Sequence, residues 1–292
     1  MAKRLPRAND SAERCPRLNT ILEPIMKDWP TWALDSEPML VRELTGGLTN
    51  KSYLLQSGEH LLVLRINHPD SADLDIDRHS ELTIHHMAAA AKLSPAIIYS
   101  DPDSRYWVRD YINGNPLSDL QISPAHLDQM ACLLNQLHRL PLTFKAPITR
   151  TPITRTPITQ APITRLDVSR KVNRYLQQTT PNEEVHQLRQ SLSALMYSHS
   201  TQSGEKTANC LCHMDPLPAN WIEASNGKLW LLDWEYSAWA NPALDYAALW
   251  LHIPEALRSH WEGLHPELSP EQKQDAINTI QLLEQSWYLG QL

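Results

Sequence analysis

Asp215, Asn220 and Asp233 are the residues of this chain best placed to do chemistry together. Asp215 lies in His213-Met214-Asp215-Pro216-Leu217-Pro218-Ala219-Asn220, and Asp233 in Leu231-Leu232-Asp233-Trp234-Glu235. A carboxylate can accept a proton from a hydroxyl. An amide and a second carboxylate offer oxygen ligands to magnesium, a hard cation that keeps company with substrate phosphates. An acid, an amide and an acid in this order suit phosphoryl transfer, which needs a group to orient the attacking hydroxyl and a metal at the phosphates.

A hairpin is expected to position two of them. Asn226-Gly227 is a strong two-residue turn signal, because a type I′ turn needs positive φ at both central residues. With that turn Ser225 pairs with Lys228, and Asn220 falls opposite Asp233. Directly opposed residues have Cβ atoms about 4.5–5.5 Å apart. The plain alternative is a surface hairpin with polar ends; His213-Met214-Asp215 just upstream favours the functional reading.

These segments resemble the catalytic core of the aminoglycoside phosphotransferase and choline kinase family. Leu211-Cys212-His213-Met214-Asp215 through Asn220 is similar to that family's catalytic loop. Leu232-Asp233-Trp234-Glu235-Tyr236 is similar to its metal-binding segment, in the form typical of choline and thiamine kinases. Asn241-Pro242-Ala243-Leu244-Asp245 resembles the helix start that follows. The similarity spans about Leu44 to His252. It implies an α+β, two-lobed protein-kinase-like fold, with a small antiparallel-sheet lobe and a larger, mainly helical lobe. It also implies ATP- and magnesium-dependent phosphorylation of a small molecule's hydroxyl. Asp215 would be the proton acceptor, His213 would fix its loop, and Asn220 and Asp233 would hold Mg2+.

The nucleotide residues follow in the same way. Leu44-Thr45-Gly46-Gly47-Leu48-Thr49-Asn50 bridges two strand-like runs, and glycines let backbone amides approach phosphates. The resemblance makes Gly46, Gly47 and Asn50 part of a nucleotide-covering loop. Arg65, on the strand Leu61–Ile66, stands where the family commonly has lysine, with Glu81 on the following helix as its partner. A planar guanidinium fork is not equivalent to an ammonium point charge. The carbonyl of Asp110 and the amide of Ile112 would face the base, and Arg109 replaces a usually apolar residue behind it.

The remaining chain bounds the answer. At 292 residues it can bury a large core, and 42% hydrophobic with 20% charged residues is a globular balance. A net charge of -7 argues against nucleic acid as the main partner. No apolar run approaches the roughly 20 residues of a membrane span. The basic start lacks the apolar stretch of a signal peptide, and the four cysteines are scattered. A cytoplasmic protein with reduced thiols, a small-molecule substrate and no obligate protein partner is expected. The domain reading is an N-terminal extension at 1–38, a small lobe at 39–112 and a large lobe at 113–292. Helices are expected over Asp77–Lys92, Leu127–Leu140, Val168–Gln178, Val185–Tyr197, Ala243–His252 and Pro270–Leu289. At 146–165 a five-residue Pro-Ile-Thr unit recurs, a low-complexity insert rather than architecture. Deleting Thr151–Gln160 is expected to leave folding and turnover nearly intact.

For the acceptor, ten tryptophans stand against one phenylalanine. Trp234 and Trp239 beside Glu235 could form an aromatic wall for a quaternary or thiazolium nitrogen, though such rings also serve as ordinary core. The motif form favours a choline- or thiamine-like acceptor over an aminoglycoside. A nucleotide-binding module without turnover and a protein kinase are the competing classes. The intact Asp215, Asn220 and Asp233 oppose the first. The direct run from Asp233 into Asn241-Pro242, with no long segment between, opposes the second.

Overall fold

The computed structural model describes residues 16–44, 49–69, 74–141, 163–177, 179–201 and 209–291. Its first part is an antiparallel sheet. The strands are β1 (Met39–Leu44), β2 (Lys51–Ser57), β3 (His60–Ile66), β4 (Ile97–Ser100) and β5 (Tyr106–Asp110), in the order β1-β2-β3-β5-β4. Strand side chains alternate between faces, and the faces here have different jobs. Leu62, Leu64, Tyr106 and Val108 pack with Tyr53 and Leu55 beneath Leu22 and Ile25 of helix α1 (Pro16–Met26) and the fully buried Trp32. The Trp32 indole donates to the Tyr106 hydroxyl at 3.2 Å, which donates to Asp28 at 2.9 Å. The residues before β1 thus complete the outer core of the sheet. On the other face stand Arg65 and Trp107, paired across β3 and β5, with the Arg65 guanidinium 4.9 Å from the Trp107 ring.

Helix α2 (Arg78–Ala90) starts where Asp77 accepts from the amides of His79 and Ser80, satisfying donors that a helix end leaves open. Its Ile84, Met87 and Ala88 pack into the core of the large lobe. Burying Ile84 and Met87 is worth about 1.5–3 kcal/mol each, and Glu81 of α2 pairs with Arg65 of β3, so α2 is anchored to both lobes. The connection passes through β6 (Gly114–Pro116), paired with β8 (Trp221–Ala224). A Cβ on Gly114 would lie 2.2 Å from the Glu223 carbonyl oxygen; only glycine fits this approach.

The second part is mainly helical: α3 (Pro124–His138), α4 (Val168–Gln177), α5 (Glu183–Thr201), α6 (Ala243–His252), α7 (Glu255–Gly263) and α8 (Pro270–Gly290). Short strands β7 (Cys210–Cys212) and β10 (Ala238–Ala240) pair with each other, and β9 (Leu229–Leu231) pairs with β8. α4, α5 and α8 share a separate apolar cluster around Val172, Leu188 and Leu282. Among the described residues no helix is long and apolar enough to cross a membrane.

The hairpin corrects the expected register. Trp221 pairs with Leu231 and Glu223 with Leu229. Ala224 both donates to the Lys228 carbonyl and accepts from the Gly227 amide, at 2.9 and 2.8 Å. Ser225, Asn226 and Gly227 therefore form a three-residue loop, with Gly227 alone at positive φ (77°). Asn220 lies opposite Leu232, whose amide donates to the Asn220 carbonyl at 2.9 Å. A slip of one residue exchanges the faces of a strand. Asp233 leaves extended geometry altogether, with φ at 65°.

Most of the Pro-Ile-Thr insert, and the loop holding Gly46 and Gly47, lie outside the described residues. The insert's last residues run beside Trp239 of β10. Its amide donates to the Thr164 carbonyl at 2.9 Å, and its carbonyl accepts from Leu166 at 3.0 Å.

Candidate active site

The residues of the expected catalytic loop are held from behind by one buried carboxylate. Asp245, in the first turn of α6 and fully buried, accepts from the amides of His213 (3.0 Å) and Met214 (2.7 Å). It also accepts from His138 Nε2 at 2.9 Å. Burial would lower the His138 pKa, but the hydrogen bond and charge of Asp245 outweigh it and raise it. Met214 is left-handed, with φ at 70°, a costly geometry for a side-chain-bearing residue. The two bonds to Asp245 hold this turn in place.

His213 stitches the loop to the segment that carries Asp233. Its Nε2 donates to the Leu232 carbonyl at 2.9 Å, and its Nδ1 accepts from the Asp215 amide at 3.3 Å. Both ring nitrogens are thus occupied in the neutral form. Burial lowers its pKa to about 4, which keeps it neutral.

Asp215 accepts from Asn220 Nδ2 at 2.8 Å, and the same NH2 donates to the Asp215 carbonyl at 2.8 Å. With its NH2 so engaged, the Asn220 amide leaves its oxygen for another partner. Burial pushes the Asp215 carboxyl up to about 7; Asn220 opposes this, while Glu235 and Glu284 add to it. The Asp233 carboxyl is also raised, by burial first and then by Glu235, with Glu81 and Asp215 contributing and Arg65 opposing. Repelling carboxylates resist losing their protons, and a divalent cation between them would relieve that repulsion. The oxygen donors of Asn220 and Asp233 suit Mg2+.

Arg65 faces this cluster. Nη2 contacts Glu81 Oε1 at 2.5 Å, Nη1 contacts Asp233 Oδ1 at 3.1 Å, and Nε donates to Asn67 at 3.1 Å. Arg78 is a second cation that motif reading missed. Its Nη1 reaches Glu81 at 2.7 Å and Glu235 at 3.2 Å, and its Nη2 donates to Asn50 at 2.8 Å. An arginine opening a helix looks like a solvated residue in sequence; nothing there signalled its burial.

Two acceptor expectations need correction. Glu235 is not free beside the cleft. Its carboxylate accepts from Thr49 and Asn50, each at 2.8 Å, and pairs with Arg78 and, at 3.7 Å, with Arg65. Burial would raise its pKa, but Arg65, Asn50, Thr49 and Arg78 hold it below the ordinary range. Asn50 accordingly bridges Glu235 and Arg78. Trp234 is buried core: its ring meets His213 edge-on at 4.6 Å, and its indole donates to Ser94 at 3.2 Å. Trp239 is partly buried beside the end of the insert. The expected wall of Trp234, Glu235 and Trp239 is not assembled.

Other groups lie near Asp215. His252 of α6 pairs with Glu284 of α8 at 2.8 Å, and both act electrostatically on Asp215. One turn along α8, the Trp287 indole donates to the Tyr236 hydroxyl at 3.0 Å. Their distance in sequence from Asp215 hid them. Of the two residues expected to face the base, Asp110 ends β5 and Ile112 is buried in the connection beyond it.

Comparison with known proteins places the family and the fold. Residues 40–267 match the phosphotransferase enzyme family, and the chain belongs to that family; it is a small-molecule kinase. Among solved structures it is similar to the choline kinase LicA from Streptococcus pneumoniae, at 18% identity and a TM-score of 0.66, covering 94% of this chain and 91% of that one. LicA in complex with AMP aligns at 19% identity and a TM-score of 0.66, covering 91% and 90%. A GDP complex of an aminoglycoside 2'-phosphotransferase aligns at 15% identity and a TM-score of 0.64, covering 92% and 89%. The two-lobed kinase-like fold is shared with all of these.

Proposed function

We propose that this chain transfers the γ-phosphoryl group of a magnesium-bound purine nucleoside triphosphate to the hydroxyl of a small, cationic, choline- or thiamine-like alcohol. The observation that carries the reading is the joint placement of Asp215 and Asn220 on a loop braced by Asp245, with Asp233 tied to that loop through His213. ATP is the donor that the motif resemblance implies. The similar solved structures hold AMP in one case and GDP in another, so the fold admits both purines.

Asp215 orients the acceptor hydroxyl and takes its proton as the bond to phosphorus forms. Asn220 fixes the Asp215 carboxylate and, with Asp233, would hold Mg2+. The metal, when bound, supplies positive charge at the phosphates. Arg65, fixed by Glu81 and Asn67, adds a cation beside Asp233, and the loop of Gly46 and Gly47 would cover the phosphates. His213 is a positioning residue, because both ring nitrogens are spent on structure. Such catalysis consists of placement and charge stabilisation.

A cationic acceptor is supported by the motif form and by the groups near Asp215. Glu284 supplies negative charge, and Tyr236 and Trp287 supply aromatic surface. A phosphate-transfer assay over choline, ethanolamine, thiamine, homoserine and aminoglycosides tests the reading. Turnover of choline or thiamine well above the others supports it. Turnover of aminoglycosides alone overturns the acceptor class. Tight nucleotide binding without turnover of any small alcohol overturns the catalytic reading.

A further inference from the structure

Behind the expected catalytic loop, the fold sets two thiols that the chemistry above leaves unused beside the imidazole of His138. Cys210 and Cys212 lie on β7, two residues apart and so on one face of the strand. Both are free thiols; Cys212 is fully buried and Cys210 nearly so. Their Sγ atoms are 3.7 Å apart. His138 is the last residue of α3, which packs against β7. One of its ring nitrogens and the two sulfurs all lie within 4.8 Å of one another.

The types and spacing of these groups suit zinc. Thiolate and imidazole are its usual ligands, and two sulfurs held at about 2.3 Å by a tetrahedral ion stand about 3.7–3.8 Å apart. The two sulfurs here have that separation. Mg2+ prefers oxygen donors and would not choose this group. A divalent ion and two thiolates cancel in charge, which favours a buried position. The two thiol protons, and any proton on the ligating ring nitrogen, leave as the metal binds. His138 Nε2 is already tied to Asp245 at 2.9 Å, and a ligating histidine characteristically gives its other nitrogen to a carboxylate, which fixes the ring. Cys210, at 8% exposure, and the His138 side chain, at 14%, leave an approach from solvent. We infer that Cys210, Cys212 and His138 form a site for Zn2+, with a fourth position left for water. Asp245 also holds the amides of His213 and Met214. The ion would therefore tie α3 and β7 to that loop through one shared carboxylate.

Titration of the full chain with Co2+, read by absorption, tests it, with Mg2+ in excess and a phosphine keeping the thiols reduced. Tetrahedral Co2+ bound by thiolate absorbs in the visible and adds sulfur charge-transfer bands in the near ultraviolet; Co2+ bound by oxygen lacks the latter. The wild type should show both sets, saturating at about one equivalent, and Zn2+ should bleach them. Cys212→Ser removes a direct ligand and should weaken binding by more than the roughly ten- to hundredfold that loss of an outer partner costs. His138→Gln should keep the charge-transfer bands but bind about tenfold or more weakly. Should these variants fail to fold, Cys15→Ser combined with Cys132→Ser leaves Cys210 and Cys212 as the only thiols of the chain. Unchanged bands in that protein support the site, and their loss overturns it. A wild type without charge-transfer bands, or a folded Cys212→Ser variant that binds as the wild type does, overturns the site. Bands that Zn2+ leaves in place overturn its assignment to zinc, and undiminished binding by folded His138→Gln overturns the three-ligand set. None of these results bears on the phosphotransferase reading.

Discussion

The Met214 amide donates to Oδ1 of Asp245 across 2.7 Å, joining a left-handed residue of the proposed catalytic loop to the first turn of α6. Three donors converge on that carboxylate, and two of them are backbone amides of the loop. Asp215 follows immediately. The position of Asp215, the proposed proton acceptor, is therefore set by a residue thirty positions downstream of it.

Asp245→Ala should be strongly destabilising, because it leaves buried donors and His138 without their acceptor. A loss of about 3–5 kcal/mol is expected, as for other broken buried pairs. Asp245→Asn, which keeps one acceptor oxygen, should lose about 1–3 kcal/mol. Urea unfolding measures both. Equal stability of the Ala variant and the wild type would remove Asp245 from its bracing role.

Arg65→Lys should lower kcat/KM about tenfold or more, because one ammonium cannot span Glu81, Asp233 and Asn67 as the guanidinium does. Arg78→Met should act on stability instead. It removes a cation from Glu81 and Glu235, both nearly buried, and a loss of about 3 kcal/mol follows from the uncompensated charge. Steady-state kinetics and thermal unfolding separate the two effects.

Stability should fall in acid through His85. Its Nε2 donates to the Pro95 carbonyl at 2.8 Å, and burial lowers its pKa from 6.5 to about 3. The unfolded chain takes up this proton near the ordinary value, whereas the folded chain does not. The contribution is therefore complete above the unfolded pKa and is lost as pH drops from there toward the folded one. The slope is about 1.4 kcal/mol per pH unit for one such group. His85→Gln keeps a donor but does not titrate, so its unfolding free energy between pH 7 and 5 should depend less on pH. An unchanged slope would contradict this account.

Gly114→Ala should perturb the junction of the lobes, since the new methyl would collide with the Glu223 backbone rather than with a movable side chain. Overpacking of this kind costs about 1–3 kcal/mol. A melting temperature equal to that of the wild type would show that β8 yields without cost.

Much of this was legible in sequence because local chemistry announced it. The alanine-rich middle of α2 and the periodic Leu127, Leu134 and Leu137 of α3 marked their helices. The pairing of Arg65 with Glu81 was implied by the family resemblance, and the structure shows it. The hairpin register was off by one because Gly227 serves a two-residue and a three-residue turn equally well, and only the packing of Trp221 and Leu231 decides between them. The aromatic wall failed for a related reason. Trp234 and Glu235 adjoin Asp233 in sequence, but the left-handed backbone at Asp233 precedes a turn into the interior. Arg78, His252, Glu284 and Trp287 carried no local signal, because their partners are brought together only by tertiary packing.

The central claim is that Asp215 accepts the proton of the acceptor hydroxyl. Single-turnover phosphate transfer by Asp215→Asn, alongside its affinity for the magnesium-nucleotide complex, tests it most directly. Nucleotide affinity should be preserved while transfer slows about a hundredfold or more, the usual worth of a positioned general base. Transfer at the wild-type rate would contradict the account.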